Sequence, residues 1–434
     1  MRKIGFRLAG GILTVALAGC SIGLSRPVER PTATPMFASP TPPTAVVVTL
    51  IPAGTPVRTP AAGEQVSAPT GLPWQDCSLA GGWVGCDPQA PKQAGVAAFT
   101  DLNAPAAVAL DLSGGQGWSV PVKAEWLAWS PRGDRLLVGI GGDQYLVYDA
   151  AGSLVEQLES AARPRWQPDN ALGRDGAVHS AEGAEARLDA APDGSLTLRV
   201  KQGAAEQSLP WGAVSPGQVV QLVGWVPESS RVLAQESIAG NAALLQGGRL
   251  FTFDTATGAR ADLELYAPLG DRAALAWRPG APVLALTALS SAQGETPTLA
   301  LVDFAGGQVR FPLPEGIEVH SPDWRPSGEQ LVFAAIPWEQ APPFERPGLY
   351  LLNPLTGAVQ ALTHPPAGAQ DGLPRWTADG AAVLFARRLE GGALEIRAIS
   401  AAGGEEWLIA AGLSAPCPPE GGCDWQSWAA LGAR

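Results

Sequence analysis

The side chains most often used in catalysis are scarce in this chain, and their spacing matches no familiar catalytic pattern. Only three histidines occur, and they lie far apart: His179, His320 and His364. Zinc hydrolases need two histidines one helical turn apart, serine hydrolases a G-x-S-x-G elbow, and nucleotide enzymes a G-x-x-x-x-G-K-[ST] loop. None of these strings is present. The sequence therefore predicts no catalytic residue, no resident metal and no cofactor.

One cysteine stands where its thiol could accept a lipid. Arg2, Lys3 and Arg7 precede an apolar run that ends in the string Leu-Ala-Gly-Cys at Cys20. This pattern resembles a bacterial lipoprotein signal, and the run of about 12 residues is too short to cross a bilayer about 30 Å thick. We expect residues 1–19 to be removed and Cys20 to become a lipidated N-terminus, which gives a palmitate-type membrane anchor. An ordinary cleaved secretory signal with a chance cysteine is the alternative.

The other four cysteines are an even number, as expected for disulfides in an exported protein. They lie near the two ends of the predicted domain: Cys77, Cys86, Cys417 and Cys423. Pairing can be local or can join the two ends, and the sequence does not choose among the three connectivities. Their spacings are not C-x-x-C, so a zinc site is disfavoured.

Composition separates a linker from a folded, acidic body. Residues 26–70 contain ten prolines and eight threonines. Such a segment offers too little apolar surface to fold, so residues 20–70 are predicted to be a disordered stalk. Residues 71–434 are predicted to be the folded domain. The net charge of −12 disfavours nucleic-acid binding, which requires clustered Lys and Arg.

A repeated tryptophan motif indicates how the folded domain is built. The unit is Trp-x-Pro, with Ala in place of Pro in the last copy, followed by a polar turn and an apolar strand, at intervals of 37 to 59 residues. Its copies begin at Trp129, Trp166, Trp225, Trp277, Trp324 and Trp376. Between them lie alternating strands that end in Asp or Asn, a short turn and Gly, as at Asp149–Gly152, Asp254–Gly258, Asp303–Gly306 and Asn353–Gly357. Four strands per unit of about 50 residues are typical of one blade of a β-propeller.

The two chain ends are predicted to share a blade. A short seventh segment near Trp425 can supply only an innermost strand, and the stretches 96–99 and 107–110 can supply outer strands. Such pairing abolishes an open sheet edge. We therefore expect an all-β propeller of four-stranded antiparallel blades, with seven blades favoured and six as the alternative.

The repeats resemble the TolB-like propeller repeat, a relative of the WD-type repeat. The best copies are Pro-Asp-Trp-Arg-Pro-Ser-Gly, ending at Gly328, and Pro-Arg-Trp-Thr-Ala-Asp-Gly, ending at Gly380. The resemblance covers about residues 120–412, although the copies at Trp166 and Trp225 lack the Gly. It implies a propeller fold. TolB itself has an N-terminal α/β domain where this chain has the Pro/Thr stalk, so its role is not transferred.

Several polar residues are predicted to share the top face of the propeller, where the loops enter the tryptophan motifs. They are Glu125, Asp271, Arg272, His320 and Asp371. One hypothesis is that they converge on a funnel that binds a small polar or cationic ligand, and the alternative is that they are solvated loop residues. The long loop 337–346 lies on the same face and carries Trp338 and Phe344 among prolines. Aromatic side chains in a rigid loop favour a protein or glycan contact. In the alternative interpretation, the two rings fold back and cover the blade.

Together these patterns favour an exported lipoprotein of the cell envelope, on its periplasmic or cell-surface side. Its expected role is a binding or scaffold module for a protein, peptide or glycan, anchored to the membrane by its lipid. A lyase or hydrolase that acts on polysaccharide through the top face is one alternative. A structural envelope lipoprotein without a single ligand is the other.

Overall fold

Thirty β-strands make up the described part of the chain in a computed structural model. The structure describes residues 95–101, 106–113, 116–160, 163–167, 169–174, 176–191, 193–215, 217–238, 248–267, 275–289, 296–338, 340–413 and 428–433. All of them belong to the unit Arg58–Arg434. This part of the chain contains strands and turns but no helix, and so none long and apolar enough to cross a membrane. The predicted signal, the stalk and all five cysteines lie outside the described residues.

The strands form seven four-stranded antiparallel sheets, with one two-stranded hairpin beside them. The first part of the chain contributes β1 (Gly95–Asp101), β2 (Ala106–Asp111), β3 (Gln116–Val120), β4 (Trp126–Trp129), β5 (Arg135–Gly141), β6 (Gln144–Asp149), β7 (Leu154–Glu159), β8 (Arg165–Trp166), β9 (Leu172–Gly173), β10 (Val178–His179), β11 (Glu185–Ala190), β12 (Ser195–Gln202) and β13 (Ala205–Ala213). The next part contributes β14 (Gln218–Trp225), β15 (Arg231–Ile238), β16 (Gly248–Asp254), β17 (Arg260–Ala267), β18 (Leu275–Trp277), β19 (Val283–Ala288), β20 (Thr298–Asp303) and β21 (Gln308–Arg310). The last part contributes β22 (Ile317–Trp324), β23 (Leu331–Pro337), β24 (Gly348–Leu352), β25 (Val359–Ala361), β26 (Gln370–Trp376), β27 (Ala382–Arg388), β28 (Leu394–Ser400), β29 (Glu406–Leu413) and β30 (Ala429–Ala433).

The predicted pairing of the chain ends is present. The sheet order β3-β2-β1-β30 places the last strand beside the first, with Val96 opposite Gly432 and Phe99 opposite Ala429. Strand β30 contacts β26 on one side and β4 on the other. It is therefore the innermost strand of its sheet, as the sequence indicates. The fully buried ring beside this strand is that of Trp428, whereas Trp425 lies outside the described residues.

The hydrophobic core lies between neighbouring sheets. One cluster joins Phe99 and Val108 of the first sheet to Leu384 and Ile396 of the last. Another joins Trp118 of the first sheet to side chains of β5 and β6 in the second. Where a sheet is covered on both faces, its middle strands are apolar at successive positions, and all five residues of β24 are buried. The sheet β10–β13 differs, because its middle strands β11 and β12 carry exposed polar residues. The propeller fold with four-stranded antiparallel blades is confirmed.

The tryptophan motif works as a contact between successive blades. The Trp324 indole Nε1 donates a hydrogen bond to the backbone oxygen of Ala276 on β18, at 2.9 Å. In return, Arg278 lies over the Trp324 ring and its Nε donates to the oxygen of Gly328 at 2.9 Å. Gly328 has a φ of 73°, which glycine adopts without strain. The Trp324 copy thus combines a tight turn with an inter-blade clamp, and no catalytic role is needed to explain its residues.

Two copies that lack the glycine still place a residue with a positive φ in the turn after the tryptophan. Asn170 takes a φ of 68° in the Trp166 copy, and Glu228 takes a φ of 55° in the Trp225 copy. Asparagine tolerates this left-handed region, but glutamate has no local compensation for it. The Trp166 copy also departs in its strands, because β8 pairs only with β9, in the hairpin outside the seven sheets. Because this hairpin lies outside the seven sheets, the number of blades remains a prediction.

Replacing Glu228 by glycine should raise the free energy of unfolding by about 1 kcal/mol, because it relieves a left-handed backbone conformation at an exposed position. Urea denaturation of the two proteins measures the difference. Glu228→Ala is the matched control, since it removes the carboxylate but keeps the Cβ that causes the strain. An equal gain in both variants would contradict the backbone explanation.

The predicted Asp/Asn turns close through side-chain caps. The Asp254 carboxylate accepts from the amides of Ala256 and Thr257, at 2.8 and 3.0 Å. Asn353 caps its turn in the same way. In the turn after Asp303, however, the positive φ belongs to Gly307 rather than to the predicted Gly306. Gly306 instead lies close to the cap, because a Cβ there would lie 2.8 Å from the Asp303 Oδ2.

Candidate functional site

The sheets β22–β25 and β26–β29 present one continuous end to the top face. Antiparallel pairing puts the start of β22, the end of β23, the start of β24 and the end of β25 at this end, and β26–β29 repeat the pattern. The innermost strands β22 and β26 are in contact. The loop 338–347 and the loop 362–369 therefore emerge side by side.

An exposed tryptophan and two polar side chains form the first feature of this end. Trp338 is 61% exposed although it is a large apolar ring. Its indole Nε1 lies 3.4 Å from Glu318 Oε2, and the other oxygen of Glu318 lies 2.8 Å from His320 Nε2. The amide of Trp338 donates to the oxygen of Gly316 at 3.0 Å. The ring is thus held at the surface by both its backbone and its indole.

Phe344, the second aromatic residue of the loop, is buried. It is 3% exposed, and its ring centroid lies 4.7 Å from that of Tyr350. An isolated bridge between Ala341 and Phe344 turns the loop back toward the blade. A phenyl ring packed in this way supports the loop and does not face a ligand. Of the two aromatic candidates, only Trp338 is presented to solvent.

A cavity of about 390 Å³ opens beneath the same loop. It is lined by Pro343, Glu345, Arg346, Tyr350, Ala361, Thr363 and His364. Glu345, Arg346 and His364 are exposed, whereas Tyr350 and Thr363 are buried. The cavity joins residues of the loop after β23 to residues that follow β25, 18 positions further along the chain for Arg346 and His364. Polar groups that converge on one concavity are typical of a binding site.

Asp371 lies in the interior and forms an ion-pair network with Arg387. The carboxylate accepts two hydrogen bonds from the guanidinium, at 2.6 and 2.8 Å. Arg387 also donates to Glu406 at 2.6 and 2.9 Å. Burial raises the pKa of Asp371, an effect that Arg387 opposes. For Arg387, burial disfavours the charge, but the two carboxylates outweigh burial and raise the pKa. A carboxylate engaged in this way holds the blade together rather than facing a ligand.

The predicted polar candidates meet separate partners. Glu125 is exposed just before β4, and its amide donates to the oxygen of Gly139 at 2.8 Å. His320 pairs with Glu318, and Asp371 pairs with Arg387. Asp271 and Arg272 lie outside the described residues. The site that the described residues do form is centred on the two loops at the end of β22–β25.

Sequence reasoning named the loop 337–346 but not His364 or Thr363 as site residues. The order of the strands could have indicated both residues, because each follows an outermost strand and so belongs to a loop on the top face. Within the described ranges, no group of three or more His, Cys, Asp or Glu side chains is placed to hold a metal ion.

Comparison with known proteins shows that this chain is similar to solved structures in fold alone. No protein-family model matches the chain, and no curated protein does either. Among solved structures, a putative TolB from Agrobacterium tumefaciens is 13% identical with a TM-score of 0.33, over 75% of this chain and 92% of that one. An oligogalacturonate lyase from Vibrio parahaemolyticus is 12% identical with a TM-score of 0.41, over 80% and 90% of the two chains. The β-propeller domain of the Trilobed protease from Pyrococcus furiosus is 11% identical with a TM-score of 0.43, over 70% and 88%.

Proposed function

We propose that this protein is a lipid-anchored binding module of the cell envelope and that its ligand contacts the top face at the end of β22–β25. The observation on which the proposal rests is the exposed Trp338 ring, whose indole contacts Glu318 at the same end of the sheet as a polar cavity. An exposed aromatic ring with a fixed orientation loses little conformational freedom when it meets a partner. Export and lipidation at Cys20 are part of the proposal and rest on the leader sequence.

A binding role explains the side chains at the end of β22–β25 better than a catalytic role does. Among the predicted candidates that the structure describes, the fully buried carboxylate of Asp371 is bonded on both oxygens by Arg387 and is not placed to take a substrate proton. The Glu318 carboxylate contacts both His320 and the Trp338 indole, so the pair can orient the Trp338 ring. A polysaccharide lyase or hydrolase acting through the same face remains the second candidate function, suggested by this half-buried pair.

Trp338→Ala should weaken ligand capture by about tenfold or more, because truncation of a central aromatic anchor typically costs about 2 kcal/mol or more. The measurement is quantitative mass spectrometry of the envelope components retained by the full chain. Leu355→Ala is the matched control. Leu355 is 81% exposed, but it lies in the turn between β24 and β25, at the opposite end of the sheet.

The proposal requires a species retained by the wild type and the Leu355 variant but lost from the Trp338 variant. Equal retention by all three proteins would place the binding face elsewhere. Retention of nothing by the wild type would argue against a binding module.

A further inference from the structure

We propose that the cavity beneath the loop 338–347 binds one neutral saccharide unit of a larger glycan. The inference rests on the proposed binding function and names the ligand class of the same face. It is drawn from which polar groups of the cavity are already engaged, which remain exposed, and how their charges balance.

The walls of the cavity are fixed by bonds within the protein. The Tyr350 hydroxyl donates to the backbone oxygen of Arg346 at 2.6 Å, which holds the loop at the rim. Thr363 Oγ1 accepts from the amide of Leu349 at 2.9 Å, and its hydroxyl bonds the Asp371 carboxylate. Both hydroxyls are therefore used to build the site. A site held by such supporting bonds is preorganised for a ligand.

The groups that remain to meet a ligand are three exposed side chains. Glu345 offers two acceptor oxygens, and the guanidinium of Arg346 offers five N–H donors, one of which reaches Pro365 O at 3.5 Å. The imidazole of His364 adds a third polar group that can donate or accept. Donors and acceptors lie side by side on the chain at Glu345 and Arg346.

The charges of the cavity argue for a neutral ligand. An anion would meet the carboxylate of Glu345, and a cation would meet the guanidinium of Arg346, so either ligand would bring like charges together. A pair of neighbouring hydroxyls avoids this conflict, because it can accept from Arg346 and donate to Glu345 at once. Sugars carry such hydroxyl pairs.

Size and shape fit a saccharide better than a peptide. The volume of about 390 Å³ falls within the roughly 300–1,000 Å³ of typical small-molecule sites. A peptide that added a strand to this sheet would have to pair with β25, which is only three residues long. The apolar lining residues, Pro343 and Ala361, offer little room to anchor an apolar peptide side chain.

The test is an array of defined neutral, acidic and amino-sugar oligosaccharides, probed with the full chain in detergent and followed by calorimetric titration of the hits. Arg346→Ala and Glu345→Gln should each weaken binding of a neutral hit by about tenfold or more, since hydrogen bonds to charged groups are lost. Tyr350 bonds the backbone oxygen of Arg346, so a side-chain change at Arg346 leaves that wall in place. Arg310→Ala, at an exposed position on β21, is the matched control and should leave binding unchanged.

The outcomes separate this inference from the proposed function. Capture of a peptide or protein in a Trp338-dependent way, with no sugar bound, would overturn the saccharide and leave the binding module standing. Sugar binding that needs Trp338 but not Arg346 or Glu345 would overturn the cavity as its site. Binding confined to acidic sugars would overturn the neutral ligand. A chain that binds neither sugars nor envelope components would contradict both proposals.

Discussion

Replacing Arg387 by methionine should lower the free energy of unfolding by about 3–5 kcal/mol, the usual effect of removing one partner of a buried ion pair. The side chains of Arg387 and Asp371 are 4% and 0% exposed. The guanidinium also bonds Glu406, so one residue links three strands of the sheet, β26, β27 and β29. Without it, the Asp371 carboxylate remains in the interior with its main partner removed. Chemical denaturation monitored by tryptophan fluorescence measures the change.

The pH dependence of this loss has a definite sign. Burial raises the pKa of Asp371, and removal of Arg387 takes away the group that opposes the shift. A carboxyl whose folded-state pKa lies above its unfolded value binds its proton more tightly in the native state, so stability falls as pH rises toward the folded value. The deficit of Arg387→Met relative to the wild type should therefore be smaller at pH 5 than at pH 7.5.

Two further variants distinguish the buried pair from a general effect of charge. Arg387→Met combined with Asp371→Leu should recover most of the loss, because an apolar pair of similar volume can replace a buried ion pair. Arg397→Met removes a guanidinium of the same network whose side chain is 22% exposed, and it should cost only about 1 kcal/mol. A double variant as unstable as the single one would show that the pair itself is not responsible.

Deleting residues 428–434 should remove most of the stability of the folded domain, on the order of the 5–15 kcal/mol that a native domain possesses. The deletion takes away β30, which pairs with β1 and contacts β4 and β26. It also removes Trp428 and Leu431 from a core cluster shared by the first and last sheets. The backbone of β1 would then form an open edge. Thermal unfolding followed by circular dichroism measures the loss.

A milder variant keeps this prediction testable if the deletion does not fold. Trp428→Ala leaves the strand in place but empties a fully buried site, and it should cost about 3–5 kcal/mol. Removal of Arg434 alone is the control, because it spares β30 and should leave the melting curve unchanged. A deletion variant that melts like the wild type would contradict closure of the domain by its ends.

The sequence predicted the fold well because the repeat is dense and local. Each motif tryptophan lies at the end of a short strand, as at Trp129, Trp324 and Trp376, so one pattern located a strand, a turn and the next strand. The pairing of the ends followed from the incomplete unit at the C-terminus. The turn glycines were nearly as informative, although at the turn after Asp303 the neighbouring residue Gly307 takes the positive φ.

The site was predicted less completely because it depends on contacts across the sheet. Asp371 was expected to face a ligand, but the strand register places it directly opposite Arg387, 16 positions along the chain. For Phe344 the sequence left both a ligand contact and burial against the blade open, and the chain reversal at Ala341–Phe344 directs the ring into the core. Arg346 and His364 line one cavity only because their two loops emerge at the same end of the sheet β22–β25. Residue spacing does not reveal this feature of the topology.

The measurement that tests the binding face most directly is hydrogen–deuterium exchange of the full chain, with and without the ligand recovered by the wild type. Ligand-dependent protection is expected in residues 338–350 and 361–372, which surround Trp338, Arg346 and His364. Residues 353–358, which form the turn at the opposite end of the same sheet, should exchange equally in both samples. Protection confined to that turn or to other sheets, with none around Trp338, would contradict the account.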